Sequence, residues 1–264
     1  CCGENTIFVG IKDADIGTKT EWIDSLNLCG MAGEPAVKGV KGVTSAERMV
    51  EPIVKGILRY KNDTSVFRDG SIRFDMVDIA MTHFRPSEIG LTVAKATELG
   101  YTVKDANETV ELMPQDIVIP MNCVEGLINA TKFNDELLER VYGVKPFYEI
   151  ENPEDLIGHL AMGIAPHTSG AILCRIIGFA EVKGHYGHPF FHAAKRRNCD
   201  GDIDSIILLL DGLVNFSKYF LPKTRGGRMD APLILTTKIV PAEIDKEALN
   251  VDIGENYPLE FYKL

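Results

Sequence analysis

Residues 195–202, with the sequence KRRNCDGD, constrain this chain most because they join three cations to amide and carboxylate groups. In an extended segment, alternate side chains point the same way, so Asn198, Asp200 and Asp202 can direct three oxygen ligands at one point. Gly201 places no side chain between the two carboxylates, which lets a ligand approach closely. Such hard oxygen ligands suit Mg²⁺ together with substrate phosphates, and the adjacent cations suit those phosphates. The segment therefore predicts metal-assisted phosphoryl transfer.

A calcium-binding loop and a solvated acidic turn are the alternatives for this segment. An EF-hand loop that starts at Asn198 requires Gly at its sixth position and Glu at its twelfth. This chain has Ile203 and Leu209 there, so the calcium loop fails at two required positions. The DGD tripeptide alone does not separate catalysis from a solvated turn, and the decision depends on the longer string around it.

That longer string, Phe190–Asp202 or FFHAAKRRNCDGD, resembles the catalytic signature of the archaeal family D DNA polymerase (DNA polymerase II) large subunit. Other segments resemble the same family in the same order: Val66–Gly70, Thr82–Phe84, Ala165–Ser169 and Arg225–Pro232. The match runs from about Lys38 to about Asp252. The catalytic core of that family is similar to the two-barrel core of multisubunit RNA polymerases, so the resemblance implies DNA-templated nucleotidyl transfer.

The resemblance implies an α+β fold with a double-psi β-barrel catalytic core and flanking helices. We expect residues 111–264 to form this catalytic barrel domain and to carry the acidic loop. Residues 1–110 are expected to form a peripheral N-terminal segment. Short strands mixed with helices along the chain also favour α+β.

The resemblance further implies the large catalytic subunit of a DNA-directed DNA polymerase that acts in DNA replication. Asp200 and Asp202 would then bridge two Mg²⁺ ions about 3.5–4 Å apart. Asn198 would be a further ligand or would orient the other two. One ion would lower the pKa of the primer 3′-hydroxyl, and the other would hold the triphosphate and the leaving pyrophosphate.

The charge distribution favours a phosphate-rich substrate near this loop. The whole chain carries a net charge of −10, but residues 183–228 contain eight cations and four acids. A positive stretch around an acidic loop fits phosphates and metal ions, although a charged surface without a partner is the alternative. The expected contacts with nucleic acid or triphosphate are Lys195, Arg196, Arg197, His192, and Arg225 and Arg228 of a Gly-rich basic loop.

Cysteines and histidines give weaker indications of a zinc site. Cys1, Cys2 and Cys29 can form the edge of a zinc module within residues 1–30, but a structural zinc needs about four ligands. His185, His188 and His192 lack a completing thiol or acid, and Pro189 lies between the last two. We therefore expect these histidines to serve in the core or in nucleic-acid contact, and we assign no role to His167.

The expected setting is the archaeal cytoplasm. The six cysteines form no CxxC pair, which fits free thiols in a reducing compartment. The apolar run Ile206–Leu210 is far too short to span a membrane. The resemblance implies primer–template DNA, deoxynucleoside triphosphates, an exonuclease small subunit and the rest of the large subunit as partners. The chain starts without Met and is much shorter than that subunit, so we expect an internal part that is inactive alone.

Two other functions stay open at this point. One is a non-catalytic module for nucleic-acid binding or assembly, and the other is an RNA-synthesising two-barrel polymerase. The intact set of Asn198, Asp200 and Asp202 favours catalysis, since a binding module has no need of clustered acids facing a polyanion. The resemblance favours DNA over RNA as the product.

Local patterns predict the elements around the loop. Apolar periodicity over Asp204–Phe220 predicts a helix with Asp204 in its first turn, where a carboxylate stabilises the amide ends instead of binding metal. The remaining predictions are strands at Thr6–Val9, Asp116–Pro120, Gly170–Val182 and Pro232–Val240, a hairpin at Val66–Phe74, and helices at Ser87–Gly100, Asn122–Thr131, Asp135–Tyr142 and from Pro153.

Overall fold

The computed structural model describes residues 18–39, 51–165, 168, 170–198, 201–221, 234–246 and 258–263. The α-helices are α1 (Thr18–Cys29), α2 (Ile53–Lys61), α3 (Val93–Glu98), α4 (Val124–Arg140), α5 (Pro189–Ala194) and α6 (Leu209–Asn215). The strands are β1 (Phe74–Ala80), β2 (His83–Phe84), β3 (Val110–Glu111), β4 (Asp116–Pro120), β5 (Leu160–Ile164), β6 (Gly170–Ala180), β7 (Gly184–Gly187), β8 (Ile203–Leu208) and β9 (Ile234–Thr236). Short 3₁₀ helices span Pro86–Ile89, Met121–Cys123, Pro153–Leu156, Lys218–Phe220, Pro241–Glu243 and Phe261–Lys263.

Within the described ranges, one mixed sheet closes into a ring. Its strand order is β4-β7-β1-β8-β5-β6-β9, and a further pairing of β4 with β6 joins the two sides. Six strands therefore form the ring, and β9 is added to β6 outside it. The long strand β6 makes closure possible because it pairs with β5 along Ala171–Arg175 and with β4 along Arg175–Ala180. This ring agrees with a barrel, whereas its double-psi connection stays a prediction.

The predicted strands Asp116–Pro120 and Gly170–Val182 are confirmed as β4 and β6. Their apolar and β-branched residues pack on both faces, and Ile117, Val118 and Ile119 are fully buried. Strand β1 also lies in the ring, between β7 and β8. The ring therefore includes residues that precede position 110, while the division into 1–110 and 111–264 stays a prediction.

The predicted helix over Asp204–Phe220 is confirmed only for Leu209–Asn215 and is wrong for its first five residues. Residues Ile203–Leu208 form strand β8, and helix α6 begins only at Leu209. The apolar run in this region is continuous, and such a run does not distinguish a buried strand from a buried helix. Because β8 pairs with β1 on one side and with β5 on the other, the sheet selects the extended form. Asp204 consequently lies in a strand and not in the first turn of a helix.

Other predicted boundaries shift for local reasons. The helix expected at Ser87–Gly100 is divided by Gly90, which has a left-handed φ of 71°. The helices expected at 122–131 and 135–142 are one helix, α4. The Asp69-Gly70 turn forms, but β1 begins only at Phe74, so the hairpin is wrong. The helix expected from Pro153 is a short 3₁₀ helix. The strand expected at Pro232–Val240 is the shorter β9. The strand expected at Thr6–Val9 lies outside the described residues.

We expect Gly70→Ala to lower the free energy of unfolding by about 2–3 kcal/mol. Gly70 has a φ of 93°, and a Cβ there would lie 2.5 Å from the Asn215 carbonyl oxygen. Gly90→Ala is the matched control, because Gly90 also has positive φ but a Cβ there would have no atom within 4 Å. Urea unfolding should give a loss of only about 1 kcal/mol for the control. Equal losses of stability for the two variants would show that neighbouring atoms move to relieve the close contact at Gly70.

Candidate active site

The acidic loop leaves the C-terminal end of α5 and enters strand β8. Asn198 is exposed and Asp202 is partly exposed, whereas Cys199 and Asp200 lie outside the described residues. The Asp202 carbonyl oxygen accepts a hydrogen bond of 2.9 Å from the Asp78 N–H. Gly201 takes a φ of 95°, which suits a residue without Cβ. The loop is thus anchored beside β1, and Asn198 and Asp202 are accessible at the edge of the ring.

Helix α5 is short, and its sequence determines where it begins and which of its faces is buried. His188 precedes the helix, and its Nδ1 accepts a hydrogen bond of 3.1 Å from the Phe190 N–H. Pro189 then occupies the first turn, where a missing N–H is tolerated. Pro189 therefore does not interrupt the helix, because His188 caps the helix and does not lie within it. The buried face presents Phe191, His192 and Lys195 to the core.

Two glycines leave room for this face of α5. A Cβ on Gly163 of β5 would lie 2.6 Å from Phe191 Cζ and 3.2 Å from Lys195 Cδ. A Cβ on Gly187 of β7 would lie 3.0 Å from His192 Nε2. The Lys195 Nζ also lies 4.1 Å from the Phe191 ring centroid, a cation–π contact. The glycines of the ring therefore allow α5 to bring a cation into the protein interior.

That cation belongs to a buried cluster that we call the inner polar cluster: Asp78, His185, His192, Lys195 and Asp204. The Lys195 ammonium donates a hydrogen bond to Asp204 Oδ2 and lies 3.4 Å from His192 Nδ1. His192 Nε2 lies 3.1 Å from the Ile79 carbonyl oxygen, which can only accept, so Nε2 carries a proton. His192 Nδ1 lies 3.7 Å from both Asp78 Oδ2 and Asp204 Oδ2.

Burial and charge alter the pKa values within the inner polar cluster. Burial acts to raise the pKa of Asp204, but His192 and Lys195 lower it to about 2. Burial lowers the pKa of Lys195, and the Asp204 carboxylate opposes that shift. Burial, together with the nearby Lys195 cation, lowers the pKa of His185 well below its ordinary value. The cluster therefore contains an ionised Asp204, while His185 is neutral at pH 7.

Sequence reasoning placed three members of this cluster differently, expected His185 in the core or in nucleic-acid contact, and missed Asp78. Lys195 and His192 were predicted to contact nucleic acid or triphosphate, but both are buried and contact groups inside the protein. Asp204 was assigned to a helix turn, and the histidines were expected to lack a completing acid, but a carboxylate oxygen of Asp204 lies within 4.8 Å of ligand nitrogens of His185 and His192. The spacing of His192 and Lys195, three residues apart, is the one available signal, because it puts both on one helical face.

The two arginines lie nearer the surface. Arg196 is exposed and adopts a left-handed φ of 61° after the end of α5. Arg197 Nη1 lies 3.5 Å from Asp202 Oδ2, and its Nε lies 3.4 Å from Asp204 Oδ1. Arg197 thus links the surface acid to the buried one. Arg225 and Arg228, which were predicted to bind the DNA backbone, lie outside the described residues.

A surface cavity of about 540 Å³ opens beside the acidic loop. Arg196, Arg197 and Asn198 form one wall. The opposite wall comes from residues 236–245 and includes Lys238 and Glu243. A cavity with cations next to accessible oxygen ligands can accept a phosphate-bearing ligand at its edge.

The described donors fit a divalent cation of the Mg²⁺ type. The Asp202 carboxylate is 41% exposed, and the side chain of Asn198 on the same loop is exposed as well. Carboxylate and amide oxygens are ligands that Mg²⁺ prefers, with open positions left for water and phosphate. Zinc bound by cysteine is not shown, since Cys1 and Cys2 lie outside the described residues. Cys29 is buried, its Sγ lies 3.8 Å from the Val54 carbonyl oxygen, and burial raises its thiol pKa.

Among the described helices, none is both long and apolar enough to cross a membrane.

Comparison with known proteins shows the family to which the chain belongs. Residues 30–264 match the family model described as the catalytic domain of DNA polymerase II large subunit DP2.

The chain is similar to curated relatives named DNA polymerase II large subunit. It is 53% identical to the protein of Methanocorpusculum labreanum and 52% identical to that of Thermoplasma volcanium, in both cases over 99% of this chain and 24% of the relative. It is 52% identical to the Pyrococcus furiosus protein over 88% of this chain and 19% of the relative. The chain spans about a quarter of the length of the first two relatives. It therefore belongs to the family of DNA polymerase II large subunit DP2 catalytic domains.

Proposed function

We propose that this chain is the catalytic part of a DNA-directed DNA polymerase, which transfers nucleotides by a two-metal mechanism in DNA replication. The observation that carries the proposal is the pair of accessible oxygen donors on one loop, Asn198 and Asp202, in a chain of this family. Asn198 lines a cavity together with Arg196 and Arg197. The closed ring of strands supports a barrel core, for which we propose the double-psi connection and the family D assignment. The proposed domains are residues 111–264 for the catalytic barrel and 1–110 for the peripheral segment, which contributes strand β1 to the ring.

The proposed roles of the loop residues follow from their chemistry. Asp200 and Asp202 would hold two Mg²⁺ ions, with Asn198 as a neutral third donor. When bound, the ions activate the primer 3′-hydroxyl and stabilise the charge on the leaving pyrophosphate. Arg196 and Arg197, together with Arg225 and Arg228, would contact phosphates of the triphosphate or the DNA. The burial of Lys195 and His192 favours a role inside the protein for both.

The proposed partners are primer–template DNA, deoxynucleoside triphosphates, the remaining parts of the large subunit and an exonuclease small subunit. No zinc site on Cys29 is proposed, because the thiol is buried and its raised pKa disfavours the thiolate that binds zinc. A non-catalytic assembly module is not favoured, since it leaves the accessible oxygen donors of the loop without a purpose.

The test is primer extension by the full-length large subunit with its small subunit, with and without Mg²⁺. We expect extension with deoxynucleotides in Mg²⁺ and none after the metal is chelated. Ribonucleotides supplied alone form the second arm, and efficient extension with them would favour RNA synthesis instead. A complex that binds the DNA and extends it with neither substrate would support the assembly module.

We expect the 264-residue chain alone to show no primer extension, because the resemblance implies a second barrel that supplies basic residues to the triphosphate. Two carboxylates without substrate phosphates complete few of the six positions around Mg²⁺, so the chain alone should bind the ion weakly. Primer extension by the purified chain, with Asp202→Asn inactive as the control, would contradict this expectation.

We expect Arg196→Gly in the full-length large subunit to weaken DNA binding and to reduce its salt dependence. This change removes the guanidinium and also relieves the left-handed backbone at a φ of 61°. Loss of one phosphate contact should lower the log–log salt slope by about 0.9 on duplex DNA. Fluorescence anisotropy across a KCl series measures the slope, and Lys145→Ala at an exposed position is the control. The same slope for Arg196→Gly and the wild type would show that Arg196 does not contact the DNA backbone.

A further inference from the structure

The two ends of the acidic loop are joined by one buried ion pair. Lys195 directly follows α5, and Asp204 is the second residue of β8, so they bracket the segment that carries Asn198 and Asp202. Their side chains are both fully buried and in direct hydrogen-bonded contact. This pair therefore joins the two residues that flank the segment with the accessible donors.

The side chains around Lys195 indicate that its ammonium group supplies the positive charge of the inner polar cluster. Ligand atoms of His185, His192 and Asp204 lie within 4.8 Å of one another, as in a metal site. Both oxygens of Asp78 and both ring nitrogens of His185 are buried without a hydrogen-bond partner among the described residues. The Lys195 ammonium contacts Asp204 and lies 3.4 Å from His192 Nδ1, so it places a positive charge next to two of these three ligand groups.

Contacts lead from this pair to the loop surface. Arg197 Nε lies 3.4 Å from Asp204 Oδ1 and its Nη1 lies 3.5 Å from Asp202 Oδ2, so its charge attracts both carboxylates although Nε and Asp204 Oδ1 form no hydrogen bond. The Asp78 N–H holds the Asp202 carbonyl oxygen at 2.9 Å. A displacement of the loop base would thus move the Asp202 carboxylate.

We propose that Lys195 and Asp204 are positioning residues, which close the base of the acidic loop and, through Arg197, hold Asp202 in the orientation that binds the divalent cation. The inference rests on the proposed function. A buried ion pair is a weak source of stability compared with apolar groups of similar volume, but it fixes one geometry. Its loss should therefore act on metal affinity more than on the amount of folded protein.

The decisive variant is Lys195→Met/Asp204→Leu, which replaces the ion pair by apolar groups. It leaves no single charge of the pair unpartnered, so the protein should fold even where Lys195→Met alone does not. The matched control is Lys61→Met, which removes the partly exposed pair of Lys61 with Glu136, whose atoms lie 2.5 Å apart. All variants are made in the full-length large subunit with its small subunit.

Two readouts separate positioning from structural damage. The first is direct binding of Mn²⁺, measured by electron paramagnetic resonance of the free ion without DNA or nucleotide. The second is primer extension over a Mg²⁺ series. For the double variant we expect about tenfold weaker Mn²⁺ binding and about tenfold more Mg²⁺ for half-maximal extension. Extension at saturating Mg²⁺ should stay within a few-fold of the wild type, and Lys61→Met should match the wild type throughout.

Wild-type metal dependence in a folded double variant would overturn the proposal. An equal loss of extension at every Mg²⁺ concentration, with Mn²⁺ binding unchanged, would also overturn it and indicate a structural role. Stoichiometric zinc in the wild-type protein, lost in His185→Ala, would show that a metal ion and not Lys195 is the cation of the inner polar cluster. Absence of extension by the wild type would instead refute the proposed function, while the Mn²⁺ measurement would still decide the positioning role.

Discussion

Asp202→Asn in the full-length large subunit is expected to lower the rate of nucleotide addition by at least about 1,000-fold. The Asp202 carboxylate is partly exposed on the loop whose Asn198 lines the cavity, and the backbone of Asp202 is bound to β1. The amide keeps the shape of the side chain but removes the charge that would balance two divalent cations in the proposed mechanism, which should cost several kcal/mol in the transition state. Single-turnover primer extension measures the effect, and Asp200→Asn should show a similar loss.

The control for this prediction is Glu243→Gln, an exposed acid on the opposite wall of the same cavity. It changes the charge of the cavity by the same amount without touching the acidic loop, so extension should stay within a few-fold of the wild type. Circular dichroism should show that all variants remain folded. Extension by folded Asp202→Asn at near wild-type rates would refute the metal-binding role.

We expect the largest effect on stability at Asp211, whose buried carboxylate is the centre of a hydrogen-bond network. Its Oδ2 accepts from the Ile72 N–H at 2.7 Å, and its Oδ1 accepts from the Asn134 and Asn215 amides at 3.1 and 3.0 Å. Asp211→Ala leaves the Ile72 N–H without an acceptor and removes one of two acceptors from each Asn amide, because Asn134 also donates to the Ala130 carbonyl oxygen and Asn215 to Asn134 Oδ1. Each buried donor left unpaired costs about 1–3 kcal/mol. We expect a loss of about 4 kcal/mol in the free energy of unfolding, measured by urea unfolding with circular dichroism.

The same residue gives a prediction about pH. Burial raises the pKa of Asp211 to about 6, although its hydrogen-bond donors act to lower it. The folded chain therefore binds more protons at this site than the unfolded chain between about pH 4 and 6, and stability from this group falls as pH rises through that window. Asp211→Asn lacks this dependence, so its penalty should shrink between pH 4.5 and 7, by at most about 3 kcal/mol.

Asp24→Asn is the control for both measurements, because Asp24 is exposed on α1. It should change the free energy of unfolding by less than about 0.5 kcal/mol at either pH. A penalty for Asp211→Asn that stays constant or grows as pH rises would show that the hydrogen-bond donors outweigh burial at this carboxylate.

The sequence by itself determined the features that depend on local pattern. The buried strands β4 and β6 follow from short runs of apolar, β-branched residues, and both are confirmed. The chemistry of the acidic loop stays a prediction, because its DGD tripeptide alone also fits a solvated turn and only the longer string with its cations favours metal and phosphate binding. The family resemblance rested on the same string of residues.

Only the tertiary structure decided the fate of Asp204 and Lys195. The apolar run after Asp204 fits a helix and a buried strand equally well by pattern, and pairing with β1 and β5 selected the strand. Lys195 belongs to a run of three cations, and a sequence does not tell which of them points inward. Its partners come from β1, β7 and β8, segments distant along the chain that meet only when the ring closes and its glycines admit α5.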